Sequence, residues 1–160
     1  MNMQDPHTSS QHVKDSPVRL AALVYGVAFL LVGIAGFIPG VTTGFESLHV
    51  GGHQSEALLL GIFQVSVLHN SVHLLFGVVG LALAMASWPT PARMSLLIGG
   101  ILYLMLWVYG LVIDKDSPAN FVPLNTADDW LHFVLGLTMV GLSFLPSYKK
   151  SVVRTPARRS

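Results

Sequence analysis

The chain has 160 residues, 52% of them hydrophobic and 11% charged, with a net charge of +1. A soluble domain carries about 25% charged residues, so much of this surface is built for a solvent other than water. The absence of cysteine excludes a disulfide framework, a thiolate metal site and a cysteine nucleophile, and no basic cluster interleaved with aromatics points to nucleic acid.

Residues 1–18 are polar, include His7 and His12, and read as a disordered cytoplasmic tail. Leu20 to Ile38 is a charge-free run of 19 residues, enough for one membrane crossing, closed by Pro39-Gly40. No small-x-small cleavage pattern follows it, so it is expected to be retained. Val41 to Glu56 reads as a loop from its Gly, Thr and Ser content. Ala57 to Ala92 then has 36 residues without Asp, Glu, Lys or Arg, too many for one span and too few for two. It divides into an interfacial or re-entrant lead-in, Ala57 to Val67, and a span at about 68–87. Trp88 follows at an interfacial position, and Pro89-Thr90-Pro91 reads as a tight turn. The third span, about 94–113, carries Tyr103, Trp107 and Tyr109, which read as packing or interface residues. The fourth runs from about 127 to 145, with Asn125 or Thr126 as cap and Asp128 and Asp129 in its positive first turn. Residues 147–160 form a basic cytoplasmic tail.

The expected architecture is an all-α integral membrane domain over 19–146, four transmembrane helices in a compact bundle. Eight of the nine lysines and arginines fall on one side and only Lys115 on the other. The positive-inside rule then puts both termini in the cytoplasm and the loops after spans one and three outside. A faint internal repeat pairs His69-Asn70-x-x-His73-x-x-x-Gly77 with Asp128-Asp129-x-x-His132-x-x-x-Gly136, and Gly26 and Gly36 with Gly100 and Gly110. Each half would be one hairpin of a parallel repeat.

The candidate site follows from helical spacing. Residues three or four apart share a face, so His69, Asn70 and His73 group on span two, and Asp128, Asp129 and His132 on span four. Both sets lie at the outer ends of their spans and can converge in one polar layer. Four readings stay open. The layer locks helix packing by interhelical hydrogen bonds, each worth about 0.6–2 kcal/mol. It holds a divalent metal or haem through His69 and His73 with His132 or Asp129, for which the i,i+4 histidines have a suitable spacing. It handles protons or a small solute through Asp–His pairs. Or these groups line a ligand or lipid pocket. A weaker metal set is Glu46, His49, His53 and Glu56 in the first outer loop.

The segments GIFQVSVLHNSVHLLFGVVGLALA, LIGGILYLMLWVYGLVID and NFVPLNTADDWLHFVLG, in this order, resemble a bacterial, actinobacterial-type four-span membrane family catalogued as a domain of unknown function, DUF4383. The resemblance covers about Arg19 to Leu145 and marks His69, Asn70, His73, Asn125, Thr126, Asp128, Trp130 and His132 as motif positions. It implies a four-helix protein of the cytoplasmic membrane, with Asn frequent where this chain has Asp129, and it brings no activity. The expectation is therefore a non-enzymatic membrane protein, an assembly, accessory or envelope component, without a required cofactor. Its partners would be the lipid bilayer and either further copies of itself or a membrane complex. A haem or metal redox protein and a small-solute transporter stand as alternatives.

Overall fold

The computed structural model describes residues 16–147; the basic tail and nearly all of the N-terminal tail lie outside the described residues. Four helices carry the fold: α1 Pro17–Ala35, α2 Val67–Ala84, α3 Pro89–Val112 and α4 Thr126–Ser143. The first three are long and apolar enough to cross a membrane. Their outward faces are apolar, with Leu31, Leu75, Met105 and Val112 each more than 60% exposed. Water would not tolerate so continuous an apolar surface, whereas lipid requires it. These three helices give a multi-pass membrane protein. α4 has 18 residues and a more polar leading end.

The helix starts depart from the expected boundaries for one reason. Proline fits the first turn of a helix, because its missing N–H would have no partner there. Pro17 therefore opens α1, which includes Val18 and Arg19, and Pro89 opens α3 after Trp88. Pro89-Thr90-Pro91 is the first turn of α3 rather than a tight turn, and the α2–α3 connection is only Met85 to Trp88.

The region between α1 and α2 also differs from the expected loop and lead-in. It holds a three-stranded antiparallel sheet in the order β1 Thr42–Thr43, β2 Leu58–Leu59, β3 Phe63–Gln64, and a 3-10 turn at Phe45–Ser47. Thr42 pairs with Leu59, and Leu59 with Phe63. Ala57, Leu59 and Val65 form its own small core, with Ala35, Val41 and Leu48 packed against it. Strands this short carry little periodicity, so their apolar residues read as an extension of the following helix. The hairpin turns through Leu60 and Gly61, both left-handed, and the strained Leu60 is held by its N–H to Val41 O at 2.8 Å.

α1 packs along α2, and α3 along α4; the two hairpins meet through fewer contacts. Each hairpin closes on small residues. Asn70 of α2 fills the space over Gly36, and Asp129 of α4 that over Gly110. Gly77 faces Leu30 while Gly136 faces Leu104, and Gly26 faces Leu81 while Gly100 faces Val140. Between the hairpins, Phe29 stacks on Tyr103 at 5.4 Å, and the Tyr25 hydroxyl meets that of Thr138 at 2.6 Å. At the opposite end from the sheet, the Arg93 guanidinium donates to Ser143 O at 2.6 Å and Leu145 O at 3.0 Å, a cation on the negative end of α4.

A methyl group at Gly100 would stand 2.8 Å from Gly136 O, which is main chain and cannot swing away. Gly100→Ala should therefore cost about 1–3 kcal/mol by overpacking. Gly141→Ala, with nothing within 4 Å of the added carbon, should be neutral or stabilising by up to about 1 kcal/mol. Denaturant unfolding of both variants in one detergent checks the contrast.

Candidate functional site

The outer polar residues are placed by α2 and α4 starting at the same end of the molecule. Ser66 caps α2, accepting from His69 N at 3.1 Å, and puts His69 and His73 on consecutive turns. Asn125 caps α4 in a reciprocal capping box with Asp128, at 3.0 Å and 2.9 Å. His69, Asn70, Asp128, Asp129 and His132 are all at least 95% buried, and His73 is half-buried.

The histidines come together. The His69 ring stacks on His73 at 4.8 Å and lies 6.2 Å from His132, which meets Tyr103 edge-on at 4.9 Å. His73 lies edge-on to Phe29 at 5.9 Å. Its Nδ1 is 3.1 Å from His69 O, and its Nε2 is 3.1 Å from the Tyr103 hydroxyl. A carbonyl can only accept, so Nδ1 carries the proton of a neutral ring, and Tyr103 donates to Nε2. Tyr103 is thus a buried joint between α3 and α2, not an interface anchor. Its sequence signal was a hydroxyl-tipped ring in the middle of an apolar helix, where the oxygen must find a partner.

The carboxylates and the asparagine serve other contacts. Asp128 Oδ2 takes the N–H groups of Asn125 and of Gln64, the latter at 3.0 Å, so it fastens β3 to α4. The Asn125 amide adds a bond to Ile62 O at 2.7 Å. Asp129 pairs with Lys115 at 2.7 and 2.8 Å; the side chains are 4% and 30% exposed. Asn70 packs over Gly36, just past the end of α1, and its amide atoms have no hydrogen-bond partner among the described residues. Gln64 and Lys115, absent from the expected layer, are the partners that satisfy its acids. Only a fold that returns these loops to the helix ends makes them visible.

A cavity of about 90 Å³ lies under the hairpin, with His69, His73, His132, Asp128 and Tyr103 in its wall. The pockets that hold drug-sized ligands measure roughly 300–1,000 Å³, so this space is several times smaller than one of them. Among the described residues no three His, Asp or Glu side chains are arranged to hold a metal ion. In the loop between α1 and α2, Glu46, His49 and Glu56 are exposed and His53 is half-buried.

Tyr103→Phe leaves His73 Nε2 without its donor and should cost about 1–3 kcal/mol. It should also shift the His73 ring nitrogen resonances, read by 15N NMR. A Lys115→Met, Asp129→Asn double-mutant cycle should give a coupling energy of about 0.5–3 kcal/mol, read by unfolding in detergent.

No curated protein and no solved structure matches this chain. The family model for a domain of unknown function, DUF4383, matches residues 19–145, which take in α1 from Arg19 on, the other three helices, the sheet and the histidine cluster. The chain belongs to that family.

Proposed function

We propose that this chain is a non-enzymatic four-span protein of the bacterial cytoplasmic membrane, an assembly, accessory or envelope component with both termini inside. Its outer polar layer is a structural joint. One observation carries this reading: three of the six polar side chains at the outer end are committed to bonds between elements of the fold, both carboxylates among them. Asp128 joins α4 to β3, Asp129 holds Lys115, and His73 takes the Tyr103 hydroxyl. An active site leaves such groups free to meet a substrate.

The fourth span is supported by the close packing of α4 along α3 and by the placement of its polar residues against protein. Asp128, Asp129 and His132 face inward, while Val134 and Leu137 face out. A polar leading end turned inward is compatible with lipid around the helix. The parallel repeat is supported by contacts that recur with fixed offsets. The pairs Gly36–Asn70, Leu30–Gly77 and Gly26–Leu81 correspond to Gly110–Asp129, Leu104–Gly136 and Gly100–Val140. Phe29–His73 likewise corresponds to Tyr103–His132. The helix caps Ser66 and Asn125 fit the same offset. Self-association through glycine faces has less support, because Gly26, Gly77, Gly100 and Gly136 are occupied within the hairpins.

The lack of cysteine makes a topology map clean. Single cysteines at Ser117 and His53 should react with a membrane-impermeant maleimide on intact spheroplasts, and one at Ser160 only after permeabilisation. Labelling at Ser160 before permeabilisation, or lipid or quinone turnover by the purified protein, would contradict the reading.

A further inference from the structure

Three side chains of the polar layer keep buried polar atoms with no hydrogen-bond partner among the described residues: Asn70, which packs over Gly36, and the two histidines His69 and His132. On each histidine the atom is Nδ1. Both imidazoles stand in the wall of the 90 Å³ cavity. Buried polar atoms in native structures almost always have a partner, so an unpartnered pair on one cavity calls for a ligand atom. The centres of the two rings are 6.2 Å apart. A bridging oxygen spans about 2.8 Å on each side.

Apart from His73, Tyr103 and Asp128, the rest of the wall is apolar. Leu59, Leu60 and Phe63 of the hairpin roof it, and Val32 of α1 and Leu131 of α4 stand at its edge. Val32 is 36% and Leu131 37% exposed, on helix faces that meet lipid if α1 and α4 are spans. The space therefore has a polar floor and an apolar side toward the bilayer. It holds about three water-sized groups, enough for a hydroxyl and the first carbons of a chain.

We infer that this chamber binds one long-chain alcohol from the membrane, its hydroxyl between His69 Nδ1 and His132 Nδ1 and its chain leaving between Val32 and Leu131. A hydroxyl both donates and accepts, so it satisfies one protonated and one bare imidazole nitrogen together. A hydrocarbon leaves both nitrogens unpaired. A carboxylate meets Asp128 in the same wall and is repelled. Water alone matches the floor but not the leucine and phenylalanine roof. The inference rests on the proposed membrane placement of α1 and α4.

The test uses the full chain in phosphatidylcholine nanodiscs with 15N-labelled histidine, titrated with 1-dodecanol, dodecane or dodecanoic acid. The expected result is a saturable shift at His69 and His132 with one dodecanol per chain, binding at least tenfold weaker for the acid, and no shift with dodecane. His132→Phe keeps the ring and removes the nitrogen, and should weaken dodecanol binding at least tenfold. Val32→Trp, at a half-open surface position, should do the same by blocking the exit, and keeps the test decisive if His132→Phe does not fold. Equal responses to dodecane or acid, a shift that does not saturate, or unchanged binding in Val32→Trp overturns the assignment. The maleimide map reads topology separately, so a missing alcohol response with an intact map rejects the site and not the membrane placement.

Discussion

The Asp128 carboxylate accepts main-chain N–H groups from Asn125 and Gln64, residues separated by most of the second hairpin and all of α2. That one buried side chain starts α4 and anchors the small sheet to it. Without it the Gln64 N–H loses a partner at a part-buried position, and the first turn of α4 loses half of its capping box. Each loss costs about 1–3 kcal/mol where water cannot substitute. The hairpin over the cavity is held to α4 by this fastening and by the Asn125 amide on Ile62 O.

The same logic runs through the rest of the end that carries the sheet. A lipid-embedded bundle gains little from moving apolar side chains from lipid to protein, so close packing and polar contacts decide how its helices meet. Here glycine faces draw α1 to α2 and α3 to α4, and polar bonds link the hairpins to each other and to the sheet. Tyr103 stands at the centre, stacked on Phe29, edge-on to His132 and bonded to His73, so that all four helices meet around one ring.

Much of this was legible in the residues. Long apolar runs gave the helices, because hydropathy needs no tertiary information. The i,i+4 spacing puts His69 and His73 on consecutive turns of α2, and of the two candidate caps Asn125 and Thr126 it is Asn125 that opens α4. The roles of the acids were not legible: Asp129 looked like a neighbour of the histidines, yet it turns to Lys115, a loop residue 14 positions earlier. The sheet was hidden because two-residue strands have no period, and Leu58 to Val65 is as apolar as a helix. The starts of α1 and α3 were obscured by prolines, which end helices in their interiors but open them at the first turn.

Amide hydrogen exchange at Asn125 and Gln64 tests the central fastening most directly. The account predicts that both amides exchange slowly in the native protein, and that Asp128→Ala speeds both together while the amides of α1 between Ala22 and Gly33 stay protected. Unchanged protection at Gln64 in Asp128→Ala, with the helices intact, would contradict it.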